Sequence, residues 1–162
     1  LLKMRIKNSL VFLLMGILFF SCDKKRVFDE YHSVGSAWHK DSTVTFQLPE
    51  LDSTKKYDLF VNLRSNDNYP FNNLFLIVAL ELPNGFTKVD TLEYQMANPD
   101  GTLLGEGFTD IKESKLFYKE KVKFRGKYKV SIKQAVRETG KVPGVEQLEG
   151  ITDVGFRIEN KE

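Results

Sequence analysis

The residue whose surroundings point most clearly to chemistry is Cys22, the only cysteine in the chain. Lys3, Arg5 and Lys7 form a short basic stretch, and residues 10–20 form an almost unbroken apolar run that ends at a small residue before the cysteine. This order is the layout of a secretory signal. A cysteine directly after the small residue is typical of a bacterial lipoprotein, in which the thiol is acylated and becomes the mature N-terminus.

The alternative is an ordinary signal peptide that is cut near this point and leaves a free thiol. The apolar run is only about half of the roughly 20 residues that a membrane-spanning helix needs. We therefore predict a signal peptide over residues 1–21, a lipid anchor with a short tether over residues 22–27, and a single domain over residues 28–162.

Removal of the signal changes the charge of the protein. Three of the 24 basic residues lie in the signal, so residues 22–162 carry 21 basic and 22 acidic side chains. This near-neutral balance gives no argument for a nucleic-acid partner. With Cys22 acylated, no thiol remains for a disulfide or a thiolate metal site, and we expect a fold held by packing alone, without a cofactor.

The dominant sequence period after residue 27 is two, which is the period of a β-strand. Tyr57, Leu59, Val61 and Leu63 fall on one face of their segment. The same alternation marks residues 43–48, 127–137 and 153–159. Each of these segments is typical of a strand with one buried face and one solvated face.

Turn residues separate the strands. The apolar run over residues 74–80 predicts a central strand covered on both faces, and Pro83-Asn84-Gly85 predicts a tight hairpin after it. Arg125-Gly126 predicts a second hairpin, and residues 145–149 make at most one helical turn. About eight short strands with such turns predict an all-β fold, a two-layer antiparallel β-sandwich. The pattern does not separate Ig-like from jelly-roll topology.

Residues that could catalyse a reaction or bind a metal are sparse. His32 and His39 are the only histidines, which is too few for a zinc site without cysteine, and no Gly-x-Ser-x-Gly nucleophile motif is present. Asp100, Glu106 and Asp110 could offer oxygens to calcium in a glycine-rich loop. The alternative is a long connection that needs glycine for its backbone angles. We predict a protein that is not an enzyme and holds no metal.

Aromatic residues outside the clean core positions are candidates for an interaction surface. Trp38, Tyr69 and Phe71 could form an exposed platform, or they could plug the open ends of the sandwich. Phe60 occupies the outward phase of a strand whose other face is well filled. We expect it to lie under a crossing loop or in an interface.

Two segments add a family resemblance. Residues 64–74 are rich in Asn around Tyr69-Pro70-Phe71, and the ending over residues 148–159 contains a Gly-Ile-Thr-Asp-Val-Gly sequence. Together with the lipoprotein signal ending at Cys22, these segments resemble the gliding motility lipoprotein GldH family of Bacteroidota over nearly the whole chain. The resemblance implies a non-enzymatic envelope lipoprotein of the gliding apparatus, which is linked to type IX secretion, and it supplies no catalytic residues.

Partners and location follow from the same features. We expect a membrane contact through the N-terminal lipid and contacts with other envelope proteins of the gliding and secretion machinery. A small glycan-binding module is the alternative, and it would present exposed aromatic rings beside polar groups.

The charge beside the lipid bears on the side of the membrane that the domain faces. Surface-exposed lipoproteins of this phylum resemble one another in having acidic residues just after the cysteine, whereas here Asp23 is followed by Lys24, Lys25 and Arg26. Cations beside a lipid anchor are attracted to anionic headgroups by about 1 kcal/mol each, and a solvated linker is the alternative. We therefore expect an outer-membrane lipoprotein whose domain faces the periplasm.

Overall fold

A computed structural model describes residues 22–161 and contains ten β-strands and no helix in that range. The strands are β1 (Arg26–Ser33), β2 (Ala37–His39), β3 (Val44–Gln47), β4 (Tyr57–Ser65), β5 (Asn73–Glu81), β6 (Thr87–Gln95), β7 (Lys112–Val122), β8 (Lys129–Gln134), β9 (Gln147–Glu149) and β10 (Ile151–Asn160). The predicted signal peptide over residues 1–21 lies outside the described residues. Within them, no helix is of the length and apolarity that crossing a bilayer requires.

The strands form the predicted antiparallel sandwich. Sheet I has the order β1-β10-β4-β7, and sheet II has the order β3-β8-β5-β6. A small third sheet pairs β2 with β9, so the structure has ten strands where the sequence predicted about eight. Residues 145–149 do not form the helical turn considered above, because three of them belong to β9, which pairs with β2 through Trp38 and Leu148.

The core lies between the two large sheets and consists of the residues that the alternation singled out. Tyr57, Leu59, Val61 and Leu63 of β4 are buried, as the period of two predicted. So are the alternating residues of the other segments: Val44, Phe46, Leu48, Tyr128, Val130, Ile132, Val136, Val154, Phe156 and Ile158. Burial of each such large side chain contributes about 1.5–3 kcal/mol to the stability of the folded state.

Strand β5 corrects one prediction. It is central, with β8 on one side and β6 on the other. Leu74, Leu76, Val78 and Leu80 point into the core, but the residues between them, starting with Phe75, are only half buried. The strand is therefore covered on one face, because no further layer of the described chain packs on the outside of sheet II.

The two predicted hairpins have different outcomes. The turn at residues 83–85 does join β5 to β6, with the Gly85 amide donating to the Leu82 carbonyl at 2.9 Å. The Arg125-Gly126 prediction is wrong, because β7 pairs with β4 in sheet I whereas β8 pairs with β3 and β5 in sheet II. This turn carries the chain from one sheet to the other. The local turn residues do not distinguish such a connection from a hairpin within one sheet.

Antiparallel pairing gives the sandwich two distinct ends. At one end, Arg26 pairs with Glu159, and Asn160 and Val122 both pair with Tyr57. We call this the anchor end, and it comprises residues 22–25, 48–56, 82–86, 123–128 and 161. The opposite distal end comprises residues 34–36, 40–43, 66–72, 96–111 and 135–146.

Candidate functional site

The chain after Cys22 folds directly onto the domain. Cys22 is exposed, and the neighbouring Asp23 carboxylate forms an ion pair with Arg157 of β10. The Arg26 amide donates to the Asp23 carbonyl at 3.3 Å, and the Asn160 amide donates to the Lys25 carbonyl at 2.8 Å. Strand β1 begins at Arg26, two residues before the predicted start of the domain. The segment expected to be a tether is therefore held by specific contacts from its second residue onward.

Arg157 is the centre of an ionic network on the outer face of sheet I. Its guanidinium donates to Asp29 at 2.7 Å and to Glu159 at 2.8 Å, besides pairing with Asp23. The Glu159 carboxylate also accepts from the Lys115 ammonium at 2.5 Å. The network connects β1, β7, β10 and the residue next to Cys22.

Two opposing effects set the protonation of this network. Burial alone would lower the pKa of Arg157, but the hydrogen bonds to its three carboxylate partners outweigh that effect and raise the pKa. Burial likewise favours a higher pKa for Glu159, and the hydrogen bonds from Lys115 and Arg157 lower it below the usual range. The hydrogen bond from Arg157 also lowers the pKa of Asp23. Arg157, Glu159 and Asp23 are therefore charged at neutral pH.

Phe60 lies half-buried on the same outer face. Its ring packs edge-on against Phe117 of β7, with 6.2 Å between ring centroids, and the Lys115 ammonium lies 4.3 Å above it. Both neighbours are side chains of β7 rather than parts of a crossing loop. Phe117 is itself exposed, so the two rings form a small aromatic patch beside the ionic network.

Trp38 and Tyr69 are buried rather than exposed. The Trp38 indole NH donates to the Ser42 carbonyl at 3.0 Å, and the Tyr69 hydroxyl donates to the Asn73 carbonyl at 2.5 Å. Burial raises the pKa of the Tyr69 hydroxyl far above its usual range. Phe71 is half-buried, with its ring centroid 6.1 Å from that of Tyr69. Of the four aromatic candidates, only Phe60 and Phe71 offer ring surface, and they lie in different parts of the molecule.

The two segments that carry the family resemblance meet at the distal end. The Asn66 amide donates to the Gly150 carbonyl at 2.8 Å. Gly150 has a φ of +86° and lies so close to Tyr69 that a Cβ would overlap the Tyr69 backbone nitrogen. Glycine is required there by both conformation and space. This contact fixes the connection over residues 66–72 against the start of β10.

A cleft of about 800 Å³ opens beside this contact, among three connections of the distal end, residues 66–72, 96–111 and 135–146. Phe71 supplies its aromatic surface. Its polar lining consists of Asn72, Asn73, Gln95, Asn98, Glu93, Arg137, Glu138 and Thr139. Two of these connections also carry highly exposed apolar side chains, Phe108 and Val142. Nothing in the local sequence around Val142 distinguishes it from an ordinary loop residue.

The predicted calcium candidates Asp100, Glu106 and Asp110 do not form a group of metal ligands. Asp100 accepts hydrogen bonds from the amide and hydroxyl of Thr102, at 3.0 and 2.6 Å, and these lower its pKa. The backbone of Glu106 pairs with that of Glu113. Across residues 22–161, no three His, Cys, Asp or Glu side chains are grouped as metal ligands.

Comparison with known proteins places the chain in a family. The family model for the GldH lipoprotein matches residues 26–158. A gliding motility lipoprotein GldH of Flavobacterium johnsoniae is 83% identical over 159 residues, covering 98% of this chain and all of the relative. A GldH homolog of Christiangramia forsetii is 59% identical over 154 residues, covering 94% of each chain.

Likeness to solved structures is weaker. A family GH115 4-O-methyl-alpha-glucuronidase with specificity for decorated arabinogalactans aligns with a TM-score of 0.46 and 13% identity, over 88% of this chain and 18% of the other. That degree of similarity supports no conclusion about function. On the family match and the two relatives, the chain belongs to the GldH lipoprotein family, the gliding motility lipoproteins.

Proposed function

We propose that this lipoprotein is a non-enzymatic structural or interaction subunit of a gliding apparatus linked to type IX secretion. In this proposal acylated Cys22 anchors it to the inner leaflet of the outer membrane, and its distal end holds a protein partner in the periplasm. Family membership supports the connection with gliding motility. The geometry of the distal end supports the interaction role.

The observation that carries the proposal is the exposure of two apolar side chains on the distal connections. Phe108 is fully exposed and Val142 is 84% exposed, and the connections that bear them flank one polar-lined cleft. Large apolar and aromatic side chains surrounded by polar residues are typical of the centre of a protein interface. Burial of Phe108 and Val142 against a partner would remove from water the two most exposed apolar side chains of residues 22–161.

The fold gives such a contact a fixed position. The anchor and the distal cleft lie at opposite ends of one core, separated by strands of about nine residues such as β4 and β5. At about 3.3 Å per residue, these strands separate the ends by roughly 30 Å. Because the segment after Cys22 is itself bound to β10, a partner at the distal end would be held at a defined height above the lipid.

The test is a double substitution of the exposed pair, Phe108→Ser with Val142→Ser, in the native gene. We expect colony spreading and type IX secretion to fall while the amount of protein in the membrane fraction is unchanged. Val89→Ser is the matched control, because Val89 is also exposed but lies on β6, away from the distal connections. Normal gliding and secretion in the double variant would contradict the interaction role at this end.

The side of the membrane is tested separately. Protease added to intact cells should spare the domain and should degrade it only after the outer membrane is breached. Digestion on intact cells, with periplasmic marker proteins untouched, would place the domain on the cell surface and contradict this part of the proposal.

Glycan binding is the second candidate, and the lining of the distal cleft is the observation that favours it. Phe71 there lies among the amides Asn72, Gln95 and Asn98, the side-chain types that stack on and hydrogen-bond to sugars. Saturable binding of an envelope glycan to the full-length protein, lost in Phe71→Ala, would favour this function. A glycan array without such binding would count against it.

A further inference from the structure

The contacts of the N-terminal segment limit how far the domain can stand from a membrane. Asp23 is fixed to Arg157, and Lys25 is fixed to Asn160. One residue of chain spans at most about 3.6 Å, so a lipid on Cys22 would lie within a few ångströms of the domain surface. The part of the domain next to Cys22 therefore lies close to the leaflet that holds the lipid, and the tilt of the rest of the domain is left to other contacts.

The charge of the anchor end is suited to that position. Its connections contain eight basic side chains and three acidic ones, and all eight cations are exposed. They are Lys24, Lys25, Lys55, Lys56, Lys123, Arg125, Lys127 and Lys161. Within the described part of the chain, only Lys161 among them makes an ion pair, with Asp58 at 3.2 Å. The other seven keep their full charge available to a ligand.

These cations are separated in sequence but are brought together by the fold. Backbone hydrogen bonds join Lys161 to Lys56 at 3.0 Å and Asn160 to Lys25 at 2.8 Å. Gly126, between two of the other cations, lies against Pro83 of the β5–β6 hairpin. The cations thus come from four segments that converge on one end of the sandwich.

The distal end has the opposite charge. Its connections contain seven acidic residues and three basic ones. The acidic residues are Asp41, Asp67, Asp100, Glu106, Asp110, Glu138 and Glu146. Near an anionic surface, this separation of charge favours one orientation, with the anchor end towards the surface and the distal end away from it.

An exposed aromatic residue completes the anchor end. Phe86, at the tip of the β5–β6 hairpin, is 58% exposed. Phe side chains on a basic surface insert at the boundary between headgroups and acyl chains. The hairpin tip and the cations share the end that carries Cys22.

We propose that the anchor end is a docking surface for anionic phospholipid headgroups of the leaflet that holds the lipid, and that it keeps the domain upright with its distal end away from the bilayer. The inference rests on the acylation of Cys22 in the proposed function. It adds a second contact with the membrane, which determines orientation rather than attachment.

The experiment uses the full-length acylated protein, purified from its own membranes and placed in lipid nanodiscs. With Cys22 acylated, an engineered cysteine is the only free thiol, so a dye can be attached at Asn84→Cys in the hairpin tip or at Thr139→Cys in a distal connection. A quencher linked to lipid headgroups then reports which site lies at the surface. The nanodiscs contain phosphatidylethanolamine with phosphatidylglycerol, or with uncharged phosphatidylcholine in its place.

We expect strong quenching at position 84 and none at position 139 in the anionic nanodiscs. Quenching at position 84 should fall towards the level in neutral lipid when salt is raised, because salt screens exposed charges. It should fall in the same way in the triple variant Lys123→Gln, Arg125→Gln, Lys127→Gln. The matched control replaces the three distal cations, Lys40→Gln, Arg137→Gln and Lys141→Gln, and should leave quenching unchanged.

The outcomes separate this inference from the function it rests on. Equal quenching at position 84 in neutral and anionic lipid, or no effect of the triple variant, would overturn the docking surface while leaving the anchor intact. Mass spectrometry of the same preparation reports on the anchor itself. An unmodified Cys22 would contradict the proposed anchor and the docking surface together, whereas an acylated Cys22 without charge-dependent quenching would contradict only the docking surface.

Discussion

The two ends of the sandwich are built on the same core but present opposite surfaces. The anchor end is rich in exposed cations and carries Cys22 and Phe86. The distal end is acidic, contains a cleft, and carries the exposed Phe108 and Val142 on connections that contribute to the cleft lining. Each end is closed by a fully buried aromatic residue, Phe124 at the anchor end and Trp38 at the distal end.

Stability and surface charge depend on different residues at the two ends. Phe124 packs edge-on against Tyr57 and Tyr128. Trp38 lies in β2, opposite Leu148 of β9, and its indole NH donates to the Ser42 carbonyl. Neither set of contacts involves a charged side chain, although both use backbone or aromatic residues of the connections. The charge of each end is therefore free to suit a membrane or a partner without cost to the core.

The largest expected effect is on attachment and concerns the anchor end alone. Cys22→Ala removes the only thiol that a lipid can occupy, so we expect the protein to leave the membrane fraction or to accumulate as an unprocessed precursor. Cell fractionation and immunoblotting measure this. Lys24→Ala is the control and should stay in the membrane fraction. Persistence of processed Cys22→Ala protein in that fraction would show that the anchor is elsewhere.

The two buried aromatic residues, Trp38 and Phe124, should contribute similar amounts to the free energy of unfolding although they lie at different ends. Trp38→Ala and Phe124→Ala should each lower the free energy of unfolding by about 3–5 kcal/mol, because each empties a fully buried site. Urea titration measures both. Their effects should add to within about 0.5 kcal/mol if the ends are independent. The exposed Phe86→Ala is the control, and strong non-additivity would show that the two ends are coupled.

The contact between Gly150 and Tyr69 should matter more than an ordinary glycine turn at the same end. Gly140 also has a positive φ but has open space around it, so Gly140→Ala should cost only the conformational penalty of about 1–2 kcal/mol. Gly150→Ala adds a clash with the Tyr69 backbone and should be the more destabilising. Thermal unfolding of the two variants measures the difference. Equal losses would mean that the 66–72 connection moves aside freely.

The smallest expected effect is the pH dependence of the network beside the anchor. The folded-state pKa of Glu159 lies below its ordinary value of 4.5, so its pairing stabilises the fold above that pH and is lost as the pH falls through the folded-state pKa. Glu159→Gln should lower stability at neutral pH by about 1 kcal/mol and by less in acid. Urea unfolding midpoints of the two proteins, measured from neutral to acidic pH, give this difference in stability. A loss of stability that does not change with pH would contradict an ionic origin of the Glu159 contribution.

The sequence predicted the parts of the fold that depend on local pattern. The alternation in β4 places Leu59 and Leu63 in the core, because successive side chains of a strand point to opposite faces of the sheet. Three-residue strands are too short to show a period, so β2 and β9 were missed. The turn at Gly126 has the same local chemistry as a hairpin, and only pairing between distant strands makes it a connection between sheets.

The candidate sites also differ in whether they depend on local sequence or on pairing between distant strands. The lipidation prediction at Cys22 depends on contiguous residues and needs no fold. The distal cleft joins connections that are far apart in sequence, and the basic surface joins cations from four segments. Trp38 and Tyr69 have no periodic neighbours that would reveal their burial, and the burial of Tyr69 depends on a contact with Gly150, about 80 residues away. Such sites require the strand pairing to be known.

The central claim, that the distal end binds a protein partner while the anchor end faces lipid, is tested most directly by photocrosslinking in living cells. A photoreactive amino acid replaces Thr139 in one strain and Asn84 in another, with gliding retained in both. We expect discrete protein adducts from position 139 and adducts with lipid alone from position 84. Protein adducts from position 84 with none from position 139 would contradict it.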